Sequence, residues 1–185
     1  MKRIKNFGNV QASTDGYKKL GPGGYVCKIK KVEDVAEKQY LRIEFDIAEG
    51  EYTNYFADRQ EWLAEKYGND SWPRDGVMYR SYKESALPMF KAFITAIDES
   101  SDTSYAEVIE DGDFNEQKLA GKRVGLVLRE EENVWNGKLS IRLSVASVRN
   151  VQKIRDGDFS VPPLKKADGV QLVNLDDEDE GDLPL

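Results

Sequence analysis

The sequence predicts a mainly β domain with helices: a five-stranded Greek-key barrel interrupted by an inserted helix and strand, with a disordered acidic tail behind it. Three observations carry this expectation. The run YLRIEFDI alternates without error, Leu41, Ile43, Phe45 and Ile47 on one face and Tyr40, Arg42, Glu44 and Asp46 on the other, as a half-buried antiparallel strand requires. Asn136-Gly137 divides two long β-rich runs, and that dipeptide suits the tight turn of a hairpin. Between these strands, Leu87, Phe90, Phe93, Ile94 and Ile97 recur at helical spacing, which predicts a helix burying one apolar stripe.

The elements follow in chain order. Gly-Pro-Gly-Gly at 21–24 punctuates the chain before GYVCKIKKVEDV, rich in β-branched and aromatic residues, which reads as the first strand. Its parity is ambiguous, because Lys28 and Lys30 share a face with Val26 and Val32. Residues 40–47 form the second strand, and Glu51 to Phe56 read as the third. A short helix is expected from Asp58, as N-cap, to Tyr67 before Gly68. Gly76 to Lys83 reads as an inserted strand, and the striped helix and the closing hairpin complete the domain. This order, three strands, a helix and two strands, is that of the OB-fold. The chain divides into a basic N-terminal arm at 1–20, an OB-fold-like domain at 21–155, an extended linker at 156–175 with scope to dock back in part, and an acidic tip at 176–185.

Composition narrows the chemistry. The chain has 185 residues, one cysteine and no histidine, so an internal disulfide and the usual zinc ligand sets are excluded. The basic N-terminus lacks the apolar stretch of a signal peptide, and no run approaches the roughly 20 apolar residues that span a bilayer; a cytoplasmic location is expected. The formal net charge of −7 is unevenly placed. Residues 1–155 hold 25 Lys+Arg and 25 Asp+Glu, whereas 156–185 hold 2 and 9. Two basic stretches stand out: 1–31, with eight cations and Asp15, and 138–155, with Lys138, Arg142, Arg149, Lys153 and Arg155 and no acid. Local charge, not the total, is what a polyanion feels within a Debye length of about 10 Å.

The last ten residues, DDEDEGDLPL, hold six acids and end in Leu183-Pro184-Leu185. Such a run buries too little apolar surface to order itself. One reading is a solubilising end. The other is a docking tip, in which carboxylates speed encounter with a basic patch and the two leucines with the terminal carboxylate anchor it; the placement of the apolar residues after the acids favours docking. This tip, with Asp179, Asp182, Leu183, Pro184 and Leu185, resembles the Asp-Asp-Ile-Pro-Phe ending of bacterial and phage single-stranded-DNA-binding proteins, except that Leu185 replaces their phenylalanine. The body is similar to phage-encoded single-stranded-DNA-binding proteins of Gram-positive-host phages, through Gly23-Gly24-Tyr25 and through GKRVGLVLREEENVWNGKLSIRLSV from Gly121 to Val145. The resemblance implies a barrel that coats single-stranded DNA, a tip that recruits replication and recombination proteins, a host-cell cytoplasmic location and room for a homo-oligomer.

Single strands are held by cationic grooves and by aromatic faces on which bases stack. Tyr40 and Arg42 fall on the polar face of the second strand, Arg142 alternates with Ile141 and Leu143, and Trp135 and Lys138 flank the hairpin turn. With Lys28 and Lys30 these are the candidate nucleic-acid contacts. Trp135 has two readings, base stacking or packing back on the domain. Trp62 and Trp72 are weaker candidates, and Lys2, Arg3 and Lys5 offer nonspecific phosphate contacts or simple solvation.

Catalytic readings find little support. Asp-Gly-Asp-Phe at 111–114 and 156–159 lacks the further acids of a calcium loop and reads as a turn twice over. Adjacent Glu130, Glu131 and Glu132 alternate faces along a strand and cannot converge on one ion. Neither a phosphate loop nor a base paired with Cys27 is present. The expectation is a non-enzymatic protein without cofactor or metal that binds single-stranded DNA; the alternative is an OB-fold adaptor or replication accessory protein that binds other proteins and not DNA.

Overall fold

The computed structural model describes residues 19–167. The basic arm up to Lys18 and everything from Asp168 onward, including Asp179, Asp182, Leu183, Pro184 and Leu185, lie outside the described residues. The elements are β1 (Gly23–Val35), β2 (Tyr40–Ile47), α1 (Tyr55–Tyr67), β3 (Val77–Ser81), α2 (Leu87–Ser101), α3 (Tyr105–Asp111), β4 (Arg123–Trp135), β5 (Lys138–Arg149) and α4 (Val151–Arg155). The strands form one antiparallel sheet in the order β3-β2-β1-β4-β5. The expected closure into a barrel is not made: β3 and β5 are edge strands, and no ladder joins them.

The alternation read in β2 is present, with Leu41, Ile43, Phe45 and Ile47 all buried. In β1 a bulge between Ile29 and Lys31 resolves the ambiguous parity. The extra residue moves Val32 onto the core face opposite Ile43, while Lys31 falls opposite Glu44. Lys28 and Lys30 are both exposed.

Glu51 to Phe56 is not the third strand. Residues 51–54 turn, with Asn54 in the left-handed region at φ 63°, and α1 begins at Tyr55, three residues before the expected Asp58. The cause lies ten residues upstream. Asp46, 2% exposed, accepts hydrogen bonds at Oδ1 from the N–H groups of Ile47 (2.9 Å) and Phe56 (2.8 Å), and at Oδ2 from Ala57 (3.1 Å). A carboxylate at the N-terminal N–H groups of a helix satisfies its orphan donors and complements its dipole. Burial raises the pKa of Asp46, and those three N–H donors oppose the rise. The aromatic residues that resemble a strand pack instead as a chain of edge-on rings, Tyr52–Tyr55 (6.0 Å), Tyr55–Phe56 (5.2 Å) and Phe56–Phe45 (5.5 Å). The fifth strand is supplied by the segment expected as an insertion, now β3.

The core lies on one face of the sheet. Cys27, Ile29, Phe45, Leu126 and Leu128 meet Phe56 from α1 and Phe93, Ile94 and Ile97 from α2, which packs on β3, β4 and β5. The stripe on α2 is shorter than its periodicity predicts, since Leu87 is 47% exposed and Phe90 only half-buried. They sit in the first turn and line a shallow apolar groove with Ile109 of α3.

The opposite face carries a smaller cluster of Val26, Val127, Val151 and Ile154 with Ala48 and Phe159. Here the first part of the expected linker docks back. Phe159 lies so close over Gly24 that a Cβ there would fall 2.4 Å from its ring. Further on, Lys165 N–H donates to Glu130 O (3.0 Å) and Glu132 N–H to Lys165 O (2.9 Å), a parallel bridge to β4 beyond the end of β1. Both Asp-Gly-Asp-Phe segments leave a helix C-terminus, and both phenylalanines pack inward, Phe114 against Tyr105 at 5.2 Å. Among the described residues no helix is long and apolar enough to cross a membrane.

Candidate nucleic-acid interface

The gap between the two sheet edges is a cationic concavity with four arginines and no acid in its lining. It is a cleft of about 620 Å³ lined by Arg42 from β2, Trp72 and Arg74 from the segment before β3, Met78, Tyr79 and Arg80 from β3, and Arg142 and Ser144 from β5. Alternation accounts for Arg42 and Tyr79, whereas Arg80 shares the parity of the buried Met78. Arg42 lies directly opposite Tyr79 across the β2–β3 ladder, so both point away from the core, and Tyr40 meets Tyr79 edge-on at 5.4 Å. Tyr79 is 57% exposed. Arg74 reaches the cleft from a 3-10 turn, Arg74–Gly76, that is held by Trp72 Nε1–H donating to Gly76 O at 3.0 Å. Trp72 is thereby half-buried and structural.

The four guanidinium groups are not equivalent. Arg42 Nη1 is 2.6 Å from Glu44 Oε1, and Arg142 Nη2 is 3.7 Å from Glu131 Oε2. Arg74 and Arg80 have no acid within ion-pair distance among the described residues. Arg80 packs against the Phe93 ring, 5.8 Å from its centroid, with its Nε buried and unpartnered; desolvation lowers its pKa. A buried, unpaired donor on a cation is costly to leave unmade.

Of the residues singled out in the sequence, the structure brings Tyr40, Arg42 and Arg142 to this cleft or its rim. Trp135 and Lys138 face each other across the last pair of the β4–β5 ladder, at the hairpin tip, where Asn136 (φ 51°) and Gly137 (φ 73°) make the turn. Lys138 shares the alternation of Ser140 and Arg142, so this pair lies on the cleft side of the hairpin. Trp135 is 72% exposed and belongs to neither hydrophobic cluster of the described residues. Lys28 and Lys30 line no part of the cleft; Lys28 lies opposite Asp46 and Arg123, and Lys30 occupies the bulge. Arg74, Tyr79 and Arg80 escape the sequence reading. The strand run VMYRS carries a signal for Tyr79, which alternates with the buried Met78, but nothing local announces that β3 and β5 face one another.

The three adjacent glutamates diverge. Glu131 faces Arg142 and Lys165, and its carboxyl is held below the usual range first by the hydrogen bond from Lys165 Nζ (2.9 Å). Glu132 Oε2 accepts from Ala167 N–H (3.0 Å), and Glu130 lines a neighbouring trough. Cys27 is fully buried, and burial pushes its thiol pKa well up, which suppresses the reactive thiolate.

Compared with known proteins, the chain matches no family model, and no curated protein matches it.

Proposed function

We propose that this is an OB-fold-like protein that binds single-stranded DNA with little sequence preference, acts in phage DNA replication or recombination within the host-cell cytoplasm, and recruits partner proteins through its acidic C-terminal tip. The observation that carries the reading is the cleft between β3 and β5, with four arginines, two lacking an acid partner among the described residues, and with Tyr79 and Tyr40 beside it. Phosphates need the cations and bases need the rings. The strand order supports the fold assignment. In a Greek-key barrel of the OB type the first strand pairs with the second and fourth, closure falls between the third and fifth, and a helix joins the third to the fourth. Here β1 pairs with β2 and β4, β3 and β5 flank the cleft, and α2 lies between β3 and β4.

The test is a titration of the protein with labelled oligo-dT. Binding is expected at low salt, weakening as salt rises. Truncation before Asp176 leaves that binding intact or strengthens it, because the removed residues are anionic. A truncated protein that ignores oligo-dT even in dilute buffer would end the proposal, and magnesium-dependent cleavage of the oligonucleotide would replace it with a nuclease.

A further inference from the structure

We infer that the basic arm, the residues that precede Lys19, docks on the apolar face of the β4–β5 hairpin, with Ile4, Phe7 and Val10 as its anchors and with Glu130 and Glu132 meeting its cations. This goes beyond the DNA-binding reading and does not depend on it.

Register defines the face. Val134 lies directly opposite Leu139, Glu132 opposite Ile141 and Glu130 opposite Leu143, so these six side chains share one side of the ribbon. Leu143 is buried in the core, yet Ile141 is 50% exposed and Leu139 44%. The core face of the sheet thus runs on past the helices that cover it. Support from neighbouring strands stops as well: the ladder between β1 and β4 ends at Leu128, β5 is an edge strand, and the Glu131–Lys165 bridge is the one further pairing of this stretch among the described residues. A two-stranded ribbon is marginal in water unless one of its faces is covered.

Two observations select the arm as the cover. The first is where the chain enters the domain. Lys19 and Leu20 line a trough of about 370 Å³ whose walls include Glu130, Ile141 and Leu143, and the N–H of Leu20 donates to Tyr55 Oη at 3.2 Å, which pins the entry point beside the exposed face. Val10 stands nine residues before Lys19, or up to about 30 Å of extended chain, whereas Ile141 and Leu139 are only about 7 Å apart along β5. Reach is ample. The second is charge. The six-residue face holds two acids and no cation. Residues 1–18 carry Lys2, Arg3, Lys5 and Lys18 against Asp15, with Ile4, Phe7 and Val10 among them, while residues 168–185 carry seven acids and no base. Opposite charge favours the arm on this face, and like charge disfavours the acidic end. A ribbon backed in this way presents Trp135 and Lys138, which pair on its other side, from a fixed support.

Two measurements on the full chain test this. In amide hydrogen exchange, the double variant Ile4→Ser, Phe7→Ser is expected to speed exchange across residues 133–142 by at least about tenfold, the scale set by re-exposing half of two aliphatic side chains, and to leave β2 as protected as in the wild type, which shows that the domain is folded. Equal protection of 133–142 in the two proteins overturns the inference. In the second, a nitroxide is attached at Asn6→Cys; Cys27 is fully buried and stays unlabelled. Its paramagnetic broadening is expected on the amides of 134–141 within the same molecule, and Glu130→Gln with Glu132→Gln is expected to weaken it. Broadening centred on the apolar groove between α2 and α3 overturns the assignment of this face. So does broadening of 134–141 only when spin-labelled chains are mixed with isotope-labelled ones, which makes the occupant the arm of a second copy.

Discussion

Arg74→Gln separates electrostatic grip from fold stability. Arg74 is exposed, sits on a short turn, and has no acid within ion-pair reach among the described residues, so its loss should alter stability by no more than about 0.5 kcal/mol. Its loss from the cleft should still be felt. Each phosphate contact on a single strand adds about 0.7 to the slope of log K against log salt. Between 50 and 200 mM salt, one contact therefore contributes about a 2.6-fold loss of affinity and four contacts about a 50-fold loss. The wild type should approach the four-contact figure if Arg42, Arg74, Arg80 and Arg142 all engage, and Arg74→Gln should reduce the slope by about 0.7. Arg42→Gln should behave differently. Its guanidinium already touches Glu44 at 2.6 Å, so a phosphate must compete with that carboxylate; the slope should change less, while the Glu44 left behind repels the strand. The assay is oligo-dT anisotropy at four salt concentrations, with thermal melts of each variant beside it. An unchanged slope in Arg74→Gln, in a protein that melts like the wild type, would falsify the assignment of this cleft to phosphate.

Three further outcomes follow from particular contacts. Trp135→Ala should weaken oligo-dT binding by about 1–3 kcal/mol if the ring stacks on a base, with little change in stability because the side chain is 72% exposed; a lower melting temperature with unchanged affinity would reverse that assignment. Asp46→Ala strips three backbone N–H groups of their acceptor and should cost about 3–5 kcal/mol in urea denaturation, whereas a loss under about 1 kcal/mol would mean that α1 does not depend on this carboxylate. Glu49 accepts from Arg155 Nη2 (2.6 Å) and Nε (3.1 Å) and from Arg123 Nη1 (2.8 Å), and the hydrogen bond from Arg155 is the chief reason its pKa lies below the ordinary glutamate value. Folded pKa below unfolded means that this contribution is present above the unfolded value and is lost as pH falls through the folded one; wild type should lose stability on acidification in that window by more than Glu49→Gln does, and parallel pH profiles of the two proteins would contradict the linkage.

How much of this was legible in the chain depends on the range of the interaction. Local patterns carry β2, where burial follows the alternation of Leu41, Ile43, Phe45 and Ile47, and they carry the Asn136-Gly137 hairpin and the existence of α2. Tyr40, Arg42 and Arg142 could be placed on a solvent face for the same reason, since parity alone decides it. Lys28 and Lys30 could not be placed, because one extra residue in a bulge reverses parity and leaves no mark on composition.

What the sequence determined by itself, then, is the set of strands with unbroken period and the separation of a neutral body, with its two basic stretches, from an acidic end, because both depend on neighbours a few residues apart. The tertiary structure alone decided that Tyr55 begins a helix, since the carboxylate that satisfies its first turn comes from Asp46 on another element. It alone decided that Arg42, Arg74, Arg80 and Arg142 share one cleft. Those four are drawn from three strands and a turn, and only the folding of the sheet, with β3 and β5 brought face to face around α2, puts side chains a hundred residues apart within reach of the same ligand.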